Sequence, residues 1–114
     1  MAEVIAKSKY IRISPQKAQE IVLLLRGKTP QEALQVLKNV YKRPARHVAK
    51  TIASALANVR SRKLEESNFR FKTLVVEQGP MLKRSRAASM GRAVSVLHRT
   101  SHIKVILTDE WDKK

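Results

Sequence analysis

From Met81 to Lys104 the chain carries six lysines and arginines and not one aspartate or glutamate. The charged side of a stretch like this cannot be folded into an apolar interior, because each buried, unpaired ammonium or guanidinium would lose its hydration without compensation. The same pattern occurs between Tyr41 and Lys63, with seven basic side chains and no acidic one. Together the two stretches hold 13 of the 24 basic residues. A solvated surface ordinarily mixes the two signs. Two segments that do not mix them must each turn an unneutralised side outward.

The chain has 114 residues. The length is that of one domain, able to bury roughly two-thirds of its unfolded surface. The formal net charge is +15, which repels itself and asks for a polyanionic partner, either nucleic acid or an anionic membrane. There is no cysteine, so disulfides, thiolate metal sites and a cysteine nucleophile are excluded. The longest strongly apolar run, Ile21 to Leu25, is far short of the ~20 residues of a transmembrane helix. The N-terminal MAEVIAKSK has neither a hydrophobic signal core nor an Arg/Ser-rich transit pattern. These features predict a soluble cytoplasmic chain or an organelle's own translation product.

Residues 4–13 (VIAKSKYIRI) predict a strand with Lys7, Lys9, Ile11 and Ile13 on one side. Ser14-Pro15 predicts a helix start, followed by the apolar stripe Ala18, Ile21, Val22 and Leu25 and a stop at Gly27. Thr29-Pro30-Gln31-Glu32 has capping-box spacing, with Ala33, Leu34, Leu37, Val40 and Tyr41 as the buried face of a second helix. Pro44 opens a third helix to about Leu64, with a core stripe of Val48, Ile52, Leu56 and Val59. Ala45, Ala49, Ala53 and Ala57 beside it permit close packing against a neighbour. Arg43, Arg46, His47 and Lys50 fall on another face at i, i+3, i+4, i+7, a basic stripe suited to phosphate. Glu65 to Asn68 reads as a polar loop. Residues 69–78 read as a strand whose alternation changes phase near Lys72-Thr73, the mark of a bulge, and 94–108 as one long strand with Ile103, Val105 and Leu107 on one face. The expected fold class is α+β, three helices packed on a small antiparallel sheet with a long projecting basic β-hairpin. It is a single domain over 1–114: a body of about 1–76 and 103–110, an arm of about 77–102, and a short frayed tail at 111–114.

In the arm large apolar residues thin out. Lys83, Arg84 and Arg86 lead in, Arg92 and Arg99 lead back, and the turn region RAASMGR has small residues and Gly91. Strands running roughly ten residues beyond the body would make it about 33 Å long. An isolated hairpin is marginal in water, so a partner must hold this one, and its charge points to nucleic acid.

Catalysis is not expected. His98 and His102 are roughly 13 Å apart if they share one strand, too far for a common metal ion. His47 has no carboxylate near it in sequence, and Glu65-Glu66 is not a spaced dyad. With three glycines there is no phosphate-cradling loop, and Ser14 and Ser101 have no triad partners. No cofactor and no metal are called for. Five scattered aromatics argue against a base-stacking platform of the RRM or OB kind. A membrane helix is disfavoured because the apolar faces are needed for the core. Binding should rest on phosphate contact and shape.

Several segments resemble the bacterial large-subunit ribosomal protein number twenty-two family. Tyr10 to Ala18 (YIRISPQKA) is similar to its YVRISPRKA opening, and Leu25-Arg26-Gly27-Lys28 with Glu32-Ala33 to its LIRGK…EA segment. Glu77 to Arg84 (EQGPMLKR) is similar to DEGPxLKR, Gly91-Arg92-Ala93 to GRA, and Arg99 to Ile103 (RTSHI) to KRTSHI. They occur in order over about residues 6–108, and it is the ordered set that is specific. The resemblance implies a compact body on the outside of the large subunit near the polypeptide exit. It also implies a hairpin that threads between rRNA domains, with its tip lining the nascent-chain tunnel. It implies an early role in subunit assembly and a tip whose changes affect macrolide sensitivity. Carried over, Lys83, Arg84, Arg86, Arg92, His98 and Arg99 would hold the arm to rRNA, and Ala87, Ala88, Ser89, Met90 and Gly91 would form the tunnel-facing tip. On the body, Lys9, Arg12, Lys17, Lys42, Arg43, Arg46 and Lys50 would face rRNA.

The tip departs from the family pattern, which has Pro-Arg-Ala where this chain has Ala87, Ala88 and Ser89. One charge and a rigidifying proline are absent, and His98 stands where Lys or Arg is common. The expected partners are large-subunit rRNA, neighbouring ribosomal proteins and the nascent polypeptide. No membrane is expected, and outside the ribosome the chain should be a monomer. The expected location is the cytoplasmic ribosome, or an organellar one. The alternative is an HU-like DNA-architectural protein with a minor-groove β-arm. Such arms often carry an intercalating wedge, and RAASMGR offers only Met90.

Overall fold

Three prolines near helix starts set the layout of the body. Pro15 and Pro30 open helices after extended residues Ser14 and Thr29, and Pro44 sits one residue inside a third. At the second start the Thr29 hydroxyl accepts a 3.2 Å hydrogen bond from the Glu32 N–H. The computed structural model describes residues 3–87, 91 and 93–109, and of 82–87 and 93–98 the backbone. The order is β1 (Glu3–Ile11), α1 (Pro15–Leu24), α2 (Pro30–Lys38), α3 (Arg43–Ser61), a 3-10 turn (Glu66–Asn68), β2 (Arg70–Gln78), β3 (Leu82–Ala87), β4 (Ala93–His98) and β5 (Ser101–Thr108).

β5 is the centre of a three-stranded antiparallel sheet, with β1 and β2 on its flanks. Its alternate residues Ser101, Ile103, Val105 and Leu107 are buried. α3 lies against β1 and β5, and α1 and α2 pack beside it. The stripe Val48, Ile52, Leu56 and Val59 is fully within the core, as its spacing predicts, and meets Val4, Ile21, Leu25 and Phe69 there. This is the expected α+β arrangement of helices on a small antiparallel sheet.

The structure differs from the sequence reading at several places. In β1 the register slips between Ser8 and Ile11, where Tyr10 is left-handed at φ +58°. The slip reverses the inward phase, so Lys7 and Lys9 are exposed while Ile13 is buried. Tyr41 is not on a buried helix face, because α2 has already ended at Lys38. Of the four alanines on α3, Ala45 is buried, Ala49 half-buried, and Ala53 and Ala57 exposed, so the close packing they permit is used by the first half among the described residues. α3 stops at Ser61 in a Schellman turn, with Leu64 N–H bonded to Val59 O and Lys63 N–H to Arg60 O while Lys63 takes φ +58°. The bulge expected in β2 is found, as a register shift between Phe71 and Thr73.

The segment 94–108 is two strands. β4 pairs with β3 from Leu82↔His98 to Ala87↔Ala93, a separate two-stranded ladder of about 20 Å. Body pairing continues as far as Gln78↔Ser101. At the break, Gly79 N–H donates to Thr100 O at 2.9 Å, and the buried Thr100 hydroxyl donates to Pro80 O. A Cβ on Gly79 would lie 2.5 Å from Thr100 Oγ1 and 3.2 Å from the His102 ring, so this approach requires glycine. The His102 Nδ1 accepts from Tyr10 N–H at 3.0 Å, and the two rings meet edge-on at 4.9 Å. The molecule measures 63 × 25 × 22 Å with a radius of gyration of 17.3 Å, against about 13 Å for a compact chain of this length.

Candidate nucleic-acid interface

The start of α3 gathers the basic residues of the body. Lys42 is extended at φ −126°, no side chain caps the helix, and its first turn has no acidic residue. The first N–H groups of the helix thus keep their positive field, which adds to the cations beside them. Arg12 and Lys17 approach from the β1–α1 side and share a cleft of about 460 Å³ with Lys42, Arg43, Pro44 and Glu20. On the other side, Lys42 and Arg43 also line a groove of about 890 Å³ between α2 and α3, together with Lys38, Arg46 and Lys50. Because both hollows share Lys42 and Arg43, the basic surface is continuous around the helix start.

Six of the seven body residues expected from the sequence therefore come together, and all are exposed. Lys9, the seventh, is exposed on β1 and lines neither hollow. Lys38 was missed. Its signal was its place in the last turn of α2, just before the basic stretch. None of these cations is in a recorded ion pair among the described residues, whereas Arg60 pairs with Glu66 at 3.1 Å and Lys72 with Glu3. Glu20 is the one carboxylate lining either hollow. Opposite charges thus neutralise each other elsewhere on the body and leave this face open.

His47 reports that field. The side chain is half-buried, and its pKa is held below the ordinary 6.5, first by loss of hydration and then by Arg43, Lys50 and Arg46. The neutral form is thus favoured in the folded chain. Its contribution to stability is complete above pH 6.5 and declines as pH falls through the folded pKa. Added salt should raise the His47 pKa part of the way towards 6.5, because it screens the three cations and leaves burial untouched. An NMR titration of the imidazole at two ionic strengths reads this directly. No change would mean that the cations do not act on it.

On the arm, Lys83 stands opposite Leu97, Arg84 opposite Val96 and Arg86 opposite Val94, while His98 closes the ladder opposite Leu82. Arg99 is exposed at the root. Ala87 is the last residue of β3, and Gly91 has φ +75°. Arg92, Ala88, Ser89 and Met90 lie outside the described residues, as does the expected tail at 111–114. Among the described residues no helix is long and apolar enough to cross a membrane.

A small α+β body, an appended basic hairpin and a cation face without internal partners define a class of protein built to meet a polyanion. Comparison with known proteins makes the class specific. Residues 6–108 match the family model for ribosomal protein L22p/L17e. The large ribosomal subunit protein uL22 of Syntrophus aciditrophicus is 45% identical over 106 residues, covering 92% of this chain and 96% of that protein. The uL22 proteins of Syntrophobacter fumaroxidans and Fusobacterium nucleatum are 42% and 41% identical, covering 95% and 92% of this chain and 99% and 96% of theirs. The chain belongs to the ribosomal protein L22p/L17e family, and with it to the structural, non-enzymatic proteins of the large ribosomal subunit. The family works in the cytoplasmic ribosome.

Proposed function

We propose that the chain binds large-subunit rRNA through the cation face around α3 and through its hairpin, and that it supports subunit assembly by doing so. The observation that carries this reading is the convergence of Arg12, Lys17, Lys42, Arg43, Arg46 and Lys50 on one continuous surface without carboxylate partners. Arginine and lysine there would neutralise phosphates where rRNA helices approach one another. Lys83, Arg84, Arg86, Arg92, His98 and Arg99 would carry the contact out along the arm, with Lys9 as an outlying contact. The tip, Ala87 to Gly91, would line the nascent-peptide tunnel. Neighbouring ribosomal proteins and the nascent chain complete the partners, and the chain is a monomer before it assembles.

Competitive filter binding tests this reading. At ~150 mM salt, near physiological ionic strength, large-subunit rRNA should retain the protein against excess duplex DNA and small-subunit rRNA. Equal competition by duplex DNA would reduce the binding to generic charge and favour an HU-like architectural role.

A further inference from the structure

Beneath its charged rim, the groove between α2 and α3 is apolar. Leu34, Val40 and Ala49, all half-buried, and the exposed Ala53 form its floor, while Tyr41 stands at its lip with 98% of its surface open. An apolar surface left to water inside a polar rim marks a binding site. Here the rim is of one sign, with Lys38, Lys42, Arg43, Arg46 and Lys50 and no carboxylate. The occupant must bring apolar surface inward and negative charge outward, within a space of about 890 Å³, the size of a site for a compact group.

An unpaired nucleotide meets all three conditions, because its base is flat and apolar on both faces and its phosphates are attached at one edge. An open aromatic ring is also the kind of platform on which splayed-out RNA bases stack. A base within a duplex is covered on both faces by its neighbours and cannot use the ring. We propose that the α2–α3 groove holds a looped-out RNA nucleotide, its base on Tyr41 and the Leu34–Ala49–Ala53 floor and its flanking phosphates on Lys42, Arg43 and Arg46. This rests on the reading of the basic face as an rRNA site and deepens it, because it makes the body a reader of unpaired RNA. An acidic segment of a neighbouring protein would satisfy the rim but would leave the aromatic ring unused.

The test compares two short RNA hairpins, one with a single bulged adenosine and one fully paired, binding to the full chain and to Tyr41→Ala and Tyr41→Phe. Tyr41 lies beyond the end of α2 and is exposed, so both variants should keep the melting temperature of the parent. The parent should prefer the bulged hairpin by roughly tenfold or more, the weight of one base stacked on an aromatic ring. Tyr41→Ala should lose that preference while binding the paired hairpin as before, and Tyr41→Phe should keep it. The Tyr41 ring resonances should move upfield with the bulged hairpin alone. Equal binding of the two hairpins by the parent would overturn the nucleotide pocket and leave the basic-face reading standing. Binding of neither would remove the rRNA reading beneath it. Tyr41-dependent binding of an acidic amphipathic peptide, with no preference between hairpins, would assign the groove to a protein instead.

Discussion

Raising salt from 50 to 200 mM should cut the affinity of this chain for large-subunit rRNA by roughly 10³–10⁵-fold. The expectation follows from counting the cations that the proposed reading sets against phosphate. Six surround the start of α3, and the arm adds Lys83, Arg84, Arg86, Arg92 and Arg99. If six to ten of them each neutralise a phosphate, an equal number of condensed counterions leaves the RNA on binding, and added salt opposes that release. Ion pairs within the protein would already have absorbed part of this response, but Arg60–Glu66 and Lys72–Glu3 lie away from the face. A filter-binding titration across that range gives the slope. A shallow slope would mean that shape or apolar contact, and not phosphate neutralisation, holds the complex.

Replacing Lys83, Arg84 and Arg86 together by alanine should weaken rRNA binding by about a hundredfold, taking about 1 kcal/mol for each lost contact. The slope of log affinity against log salt should fall by about 2–3, one fraction of a counterion for each lost charge. The melting temperature should hardly move. The ladder β3–β4 packs chiefly on itself, and the core of Val48, Ile52, Val105, Leu107 and Phe69 lies in the other sheet and the helices. Binding and thermal melting of the same variant separate the two roles. A loss of stability matching the loss of affinity would make the arm part of what holds the body together.

The sequence was most legible where one periodicity ran without interruption. The core stripe of α3, the cap at Thr29 and the bulge in β2 each depend on neighbours within a few residues, and each is found. It was least legible where a single residue changes the phase. Tyr10 in a left-handed conformation reverses the inward side of β1, and no local pattern announces that for a tyrosine. Thr100, buried and bonded to Pro80, ends one strand and begins another within a run that alternates throughout. The candidate face was half legible. The i, i+3, i+4, i+7 spacing put Arg43, Arg46 and Lys50 on one side of a helix. That Arg12 and Lys17 would join them, and that Lys38 would complete the groove, depends on how three helices pack on a sheet. Tyr41 was assigned to the core because its hydrophobic spacing continued past the residue where the helix ends.

The joint at Gly79, Thr100 and His102 has a mechanical meaning. The two ladders are separate, yet Gly79 N–H to Thr100 O, Thr100 to Pro80 and Tyr10 N–H to His102 fasten the strand crossings on one side to the edge of β1 on the other. The hairpin is therefore a lever with a clamped fulcrum, and its bearing is inherited from the body. Over a ladder of about 20 Å, a rotation of ~10° at the clamp would carry the far end about 3–4 Å, close to the spacing of one residue along a strand. The bearing of the ladder is thus decided at the root, by a glycine with no room for a methyl group and a threonine almost closed off from solvent.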